Sequence, residues 1–379
     1  MNSLYRRPLP PPLVAFASPA GRARFDAARE HGGMESFFPL IEQFHTQADP
    51  AFCGLGSLVV VLNALGVDPG RLWKGPWRWF AEELLDCCTP LERVRSHGVT
   101  LDEVACLARC NGARAEVRRA DQHGVEALRE AVIAATGSAV DPALIASYDR
   151  GALGQTGGGH FSPIGGYDPT SDHVLVLDVA RFKYPPHWIP LGSLYAAMLP
   201  ADPTTTRARG WIAVRRGDRP ASLLFTARCV GDGGLEMFAL GLTRLREALA
   251  AAPPRDVRSA LHTVLAAAAN FPVILERRAL ALSEHAAAAE ALLTALRATP
   301  VHAAVVAADA PDPDAAALLV LALPTSLWDS LPSDVRGPWL AALAELPPEV
   351  HTECAHIRRQ LDDLQALCPA HCVANVCVQ

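Results

Sequence analysis

Near residues 217–220, which read Gly-Asp-Arg-Pro, the chain changes character, and no single architecture suits both sides of the change. Before it, aromatic segments and Gly-rich turns alternate with runs such as residues 174–179 and 211–214, the pattern of short strands bounded by turn residues. After it, from about Ala239, Ala, Leu and Arg recur at helical spacing, for example over residues 257–269 and 279–298. Pro253-Pro254, Pro311 and Pro347-Pro348 punctuate those helices. A chain of 379 residues also exceeds one average domain of roughly 100–200 residues. The pattern predicts an α+β domain over residues 1–216 and a mainly α-helical domain over 217–379.

Charge and hydropathy remove several classes of function. The net charge of -6 comes with no basic block, so the electrostatic footprint of a nucleic-acid binder is missing. The longest apolar runs, residues 58–62 and 315–323, fall well short of the roughly 20 residues that span a bilayer. Residues 1–12 lack the apolar stretch of a secretory leader. A soluble, cytoplasmic protein without nucleic-acid or membrane partners is expected. In a reducing compartment its ten cysteines are expected as thiols rather than as a disulfide framework, with small buried hydrophobes as the alternative.

One cysteine stands out by position. Cys53 precedes an apolar helical segment in which Leu58, Leu62 and Leu65 share a face, so it sits at a helix N-terminus. Unpaired N–H groups and the positive dipole end there favour a thiolate, which predicts a lowered pKa. Gln47 lies six residues earlier, the offset at which papain-like enzymes place the glutamine whose amide joins the cysteine N–H in the oxyanion hole. Downstream, Gly157-Gly158-Gly159-His160 leads through Phe161 to Tyr167 into a turn at residues 168–172, and the chain returns as His173-Val174-Leu175-Val176-Leu177-Asp178. A β-hairpin folded there places His160 opposite about Val179 or Ala180, with Asp178 within a residue or two. A carboxylate at that position accepts the second imidazole N–H and orients a general base. The triple glycine lacks the Lys-Ser/Thr of a phosphate loop, and neither a His-Glu-x-x-His nor a Cys-x-x-Cys zinc pattern occurs.

At these residues the sequence closely resembles the eukaryotic phytochelatin synthases. The matching strings are SLYRR near the start, CGLGSLVVVLNALGVDPGRLWKGPWRWF from Cys53, LDCC ending at Cys88, GHFSPIGGY from Gly159 and LDVARFKYPPHWIPL from Leu177. The likeness covers residues 1–216 and continues more thinly in LVLALPTSLWDSL from Leu319 and HIRRQLDDLQ from His356. It implies a papain-like fold for the first domain, with Cys53, His160 and Asp178 as the catalytic set and Gln47 beside them. It also implies a γ-glutamylcysteine dipeptidyl transfer that builds phytochelatin peptides from glutathione without ATP. Arg150, Asp202 and Arg209 match positions that bacterial relatives use to hold the γ-glutamyl head, and Arg181, Lys183 and Tyr184 lie just past Asp178. Solvated surface charge is the other reading of the first three. No covalently bound cofactor is implied. Activation by Cd²⁺, Zn²⁺ or other soft heavy-metal ions is, in the form of glutathione thiolate complexes.

Cys87, Cys88, Cys106 and Cys110 fall where the family has cysteines, and both metal ligation and core packing suit them. Cys354, Cys368, Cys372 and Cys377, with His356 and His371, form a looser C-terminal group than the paired cysteines of plant members. Phe52 stands where the family commonly has tyrosine. The competing functions are a glutathione hydrolase that releases glycine without chain growth, and a cysteine-based metal-binding protein. A homodimer and phosphorylation of Thr46 are left open.

Overall fold

Polar caps and turn residues punctuate the chain in the computed structural model, which describes residues 6–70, 72–87, 89–139, 141–217, 224–229, 234–268, 273–277 and 283–367. Two compact units result. The first comprises Met1–Pro69, Trp79–Leu85 and Leu91–Arg219; the second comprises Gly70–Arg78, Asp86–Pro90 and Pro220–Gln379. Two short stretches from the first half of the chain thus belong with the C-terminal unit, which a single cut in the sequence does not anticipate.

The first unit runs β1 (Val14–Ala15), α1 (Pro19–Glu30), α2 (Phe37–Gln43), α3 (Cys53–Ala64), α4 (Leu91–His97), α5 (Leu101–Cys110), β2 (Ala113–Arg119), α6 (Val125–Thr136), β3 (Ala143–Asp149), β4 (Gly159–Asp168), β5 (His173–Val176), β6 (His187–Pro190), α7 (Leu191–Met198) and β7 (Gly210–Arg216). Ser18 caps α1, its hydroxyl accepting the Gly21 N–H at 3.1 Å, and Pro19 opens the helix with a preset φ. Thr100 and Glu103 form a reciprocal capping box on α5. The strands make one antiparallel sheet in the order β1-β6-β5-β4-β3-β7-β2, so the unit is α+β.

The hairpin expected around residues 168–172 is β4 and β5. Asp168 accepts the Thr170 N–H at 3.0 Å and the Ser171 hydroxyl, and Asp172 takes a left-handed φ of 54°, which closes the turn. A bulge between Ile164 and Gly166 shifts the register by one residue toward the open end of the hairpin. Leu128 and Val132 of α6 and Leu194 and Met198 of α7 share a core with Leu144 and Tyr148 of β3, Ile164 of β4 and Val176 of β5. Each aliphatic side chain buried there stabilises the sheet by about 1.5–3 kcal/mol.

The second unit contains β8 (Phe225–Cys229), α8 (Gly234–Ala251), α9 (Val257–Ala268), β9 (Val273–Arg277), α10 (Ser283–Arg297), α11 (Pro300–Ala307), α12 (Pro313–Ala322), α13 (Ser333–Ala344) and α14 (Pro348–Leu367). The helices follow the Ala/Leu spacing, but β8 and β9 form an antiparallel pair inside that helical stretch. Side chains of α14 complete the pair: Glu353 Oε1 accepts the N–H groups of Leu224 and Phe225, and Gln360 Oε1 accepts that of Ala227. A helix thus satisfies a strand edge that would otherwise be open. Among the described residues no helix is long and apolar enough to cross a membrane.

Candidate active site

Cys53 is the first residue of α3, where backbone N–H groups lack intrahelical acceptors. Two glycines behind it let other groups approach closely. A Cβ on Gly54 would lie 2.3 Å from Val99 Cγ2, and one on Gly56 would lie 2.8 Å from Glu82 Oε1 and 3.3 Å from Gln47 Cβ. The Gly-x-Gly after the cysteine is therefore a packing requirement. Glu82, buried in a short 3-10 turn, uses Oε2 to accept the Ala48 N–H at 2.9 Å and so fixes the loop that carries Gln47. The Gln47 N–H in turn donates to Val179 O at 3.0 Å, which ties that loop to the segment containing Asp178.

His160 lies at the start of β4 and Asp178 two residues beyond β5. Imidazole Nε2 is 2.9 Å from Asp178 Oδ1, and because a carboxylate only accepts, Nε2 carries the proton and leaves Nδ1 as the basic nitrogen. Asp178 Oδ1 also accepts the Ala180 N–H at 2.9 Å. Arg150 Nη2 donates to both carboxylate oxygens, at 2.9 and 2.7 Å. Arg150, His160 and Asp178 are all buried, at 3%, 4% and 0% exposure, so these contacts are shielded from solvent. The ring of Tyr148 meets the imidazole edge to face at 5.7 Å.

Burial favours the neutral forms of both Cys53 and His160. It pushes the Cys53 thiol up, against the opposing pull of the Phe161 N–H, the Arg150 charge and the Gly54 N–H. This runs opposite to the lowered thiol pKa expected from the helix terminus, because desolvation outweighs the two N–H groups and the Arg150 charge. Burial also pushes His160 down to about 4, although Asp178 pulls the other way. For Asp178 burial alone would raise the pKa, but His160 and Arg150 together hold it well below the usual carboxylate range. The site therefore rests as a neutral thiol and a neutral imidazole beside a fixed carboxylate. A thiolate at Cys53 would be favoured by the Phe161 and Gly54 N–H groups and the Arg150 charge, and an imidazolium at His160 by Asp178.

The remaining sequence candidates separate by environment. Gln47 is buried, but its Nε2 donates to Asp49 O at 2.7 Å and Pro50 O at 2.9 Å, so both amide hydrogens are engaged within its own loop. Arg150, expected at the substrate, donates to Asp178 and to Gln155 Oε1 at 2.8 Å. Arg209 is buried with Nη1 donating to Pro200 O and Ala201 O, while its Nε has no partner. Its guanidinium borders Gly159, where a Cβ would approach to 3.2 Å. Asp202 is half-buried and accepts the Thr204 N–H at 2.8 Å. Lys183 Nζ lies 2.9 Å from where a Cβ on Gly157 would stand, and burial, with Arg150 nearby, lowers its pKa. Tyr184 is buried beneath Arg150, whose guanidinium lies 5.0 Å from its ring centre, and Arg181 is exposed over Phe44.

The described cysteines differ in their surroundings. Cys106 and Cys110 lie one turn apart on α5 with sulfurs 3.9 Å apart. Cys106 is disulfide-bonded, which corrects the expectation of a thiolate ligand there, since a disulfide sulfur carries no thiolate charge. Cys87 belongs to the second unit, and Cys88, Cys368, His371, Cys372 and Cys377 lie outside the described residues. Cys354 is buried, and burial pushes its thiol up to about 12. Among the described residues no group of three or more His, Cys, Asp or Glu side chains is arranged to hold a metal ion. Glu82, Gln155 and His187 escaped the sequence reading, although His187 stands inside the string YPPHWIPL.

A family model described as phytochelatin synthase matches residues 4–211. The chain is 50% identical over 238 residues to glutathione gamma-glutamylcysteinyltransferase 1 of Arabidopsis thaliana, covering 62% of this chain and 49% of that protein. It is 54% identical over 238 residues to glutathione gamma-glutamylcysteinyltransferase 1 of Triticum aestivum, with 62% and 47% covered. To the glutathione gamma-glutamylcysteinyltransferase of Schizosaccharomyces pombe it is 44% identical over 224 residues, with 59% and 54% covered. The chain thus spans about half the length of the curated relatives it matches.

Proposed function

The chain belongs to the phytochelatin synthase family, and from that premise we propose that it transfers the γ-glutamylcysteinyl group of one glutathione to the amine of another in the cytoplasm. The observation that carries this reading is the buried His160–Asp178–Arg150 arrangement beside a cysteine at a helix start. The first unit is read as a papain-like catalytic domain, and residues 217–379 as a separate helical one.

Cys53 Sγ attacks the carbonyl of the Cys–Gly bond as its proton passes to His160 Nδ1. The C–N bond breaks, His160 returns the proton to the departing glycine nitrogen, and a γ-glutamylcysteinyl thioester remains. The α-amino group of a second glutathione, or of a growing phytochelatin, then attacks the thioester and gives its proton to His160, and the thiol is regenerated. One amide replaces another, so no nucleotide is consumed. The Cys53 N–H at the start of α3 holds the oxyanion, joined by Gln47 once its amide releases one of the two loop carbonyls. Arg209, with a donor unused beside Gly159, and Asp202 meet the carboxylate and ammonium of the γ-glutamyl head. Cd²⁺ or Zn²⁺ enters as part of the acceptor, a bis-glutathione thiolate complex.

The test is to incubate the protein with glutathione at very low free metal and with Cd²⁺, and with S-methylglutathione in place of glutathione, weighing the products. Glycine together with chains of two or more γ-Glu-Cys units supports the reading, with the alkylated substrate needing little metal. Glycine and free γ-Glu-Cys alone show a hydrolase. An S-methylglutathione reaction that stays silent until Cd²⁺ is added moves the metal from substrate to protein.

A further inference from the structure

Behind the catalytic carboxylate a chain of buried polar groups continues away from Cys53, and its direction follows from where the hydrogens must be. His187, at the start of β6, has Nδ1 2.8 Å from Pro185 O, so Nδ1 carries the proton and Nε2 can only accept. Gln155 Nε2 lies 3.1 Å from that nitrogen and donates to it. The Gln155 amide oxygen is thereby turned onto Arg150 Nη1 at 2.8 Å. The backbone reinforces this link, because the Gln155 N–H donates to Arg150 O at 2.9 Å. Arg150 then grips both oxygens of Asp178, which holds His160 Nε2–H. Turning the Gln155 amide over would set its NH₂ against the guanidinium and its oxygen against the His187 lone pair, leaving buried groups unsatisfied at about 1–3 kcal/mol each. Gln155 and His187 are 5% and 0% exposed, so water cannot replace either partner.

We propose that Gln155 and His187 are positioning residues for the Cys53–His160 pair, acting through Arg150 and Asp178. The neutral tautomer of His187 sets the Gln155 amide, the amide aims the guanidinium, and the guanidinium fixes the carboxylate that orients the imidazole. Asp178, Arg150 and His160 are the charged and titratable groups that bear on His187. Burial keeps His187 neutral against the pull of Asp178. The role of the pair rests on the transferase reading, but its reactivity can be measured without glutathione.

The experiment follows alkylation of Cys53 by iodoacetamide against pH in the full chain, quantified on the Cys53 peptide, beside steady-state kinetics with glutathione. Gln155→Leu removes the acceptor of Arg150. It should slow alkylation near neutral pH by about tenfold, the effect of one hydrogen bond to a charged group, and move the pH profile. It should lower kcat by a similar factor while leaving KM for glutathione nearly unchanged. Gln155→Glu keeps an oxygen for Arg150 but sets its second oxygen against the His187 lone pair, so it should recover only part of the loss. A folded Gln155→Leu protein with the parent's alkylation profile overturns the proposal. If Gln155→Leu does not fold, His187→Phe is read by the same criterion. A profile shifted by Gln155→Leu, with the parent protein inert toward glutathione, would sink the transferase reading alone. An unshifted profile in an active transferase would sink only the positioning role.

Discussion

Replacing Asp178 by asparagine keeps its size and removes its charge, and the surroundings of this carboxylate say what that costs. Every neighbour within hydrogen-bond reach is a donor: His160 Nε2–H, the Ala180 N–H, and Arg150 Nη2 toward both oxygens. An asparagine NH₂ set at Oδ2 faces Arg150, and one set at Oδ1 faces His160 and Ala180, so neither orientation satisfies the site. The guanidinium, at 3% exposure, loses its counter-ion and keeps one amide oxygen and Gln155 as its acceptors. Breaking a buried ion pair from one side costs about 3–5 kcal/mol. At about 2–4 °C per kcal/mol for a unit of this size, the first unit should melt roughly 6–20 °C lower. Arg150→Met should cost a similar amount by stranding the carboxylate. The double variant should cost clearly less than the sum, because neither charge is left alone. Scanning calorimetry of the full chain at neutral pH reads all three. An Asp178→Asn protein melting within about 2 °C of the parent, or a double variant at the sum of the singles, would refute the ion-pair argument.

Two further outcomes follow from the same packing. His160 is depressed from 6.5 to about 4, so as pH falls the unfolded chain takes up the proton first; stability is fully present above about 6.5 and is lost as pH drops through about 4. Titration of this buried group alone amounts to at most about 3 kcal/mol at about 1.4 kcal/mol per pKa unit, and the depressed His187 adds in the same direction. A melting temperature that stays flat across that window contradicts the assignment. At Gly210, a Cβ would lie 1.9 Å from Arg118 O across the β2–β7 pairing, backbone against backbone. Gly210→Ala should destabilise the sheet by about 3 kcal/mol or more, read by denaturant titration; an unchanged midpoint would show that the strands can part cheaply.

Much of the site was legible because local rules place it. A cysteine before an apolar periodic run sits at a helix start whatever surrounds it, and Asp168 to Asp172 is a turn by composition, so His160 and Asp178 meet by hairpin geometry. What stayed hidden depends on contacts distant in sequence. Nothing local tells Arg150 to take Asp178, 28 residues away. The thiol pKa was misjudged because the dipole is visible in sequence and desolvation is not. Residues 273–275, Val-Ile-Leu, lie among Ala-rich helices, and their β-branched character was outweighed by that setting until pairing with β8 revealed it. Residues 70–78 and 86–90 join the second unit through tertiary contacts that composition does not encode.

In the proposed reaction Cys53 carries the γ-glutamylcysteinyl group. Mixing the full chain with glutathione, quenching in acid within the first turnovers and mapping peptides by mass spectrometry tests it directly. The Cys53 peptide should gain one γ-glutamylcysteinyl group in amounts matching the glycine released, with none in Cys53→Ser and little in His160→Ala. Glycine release with Cys53 unmodified and the acyl group on another residue, or peptide synthesis that survives in Cys53→Ser, would contradict it.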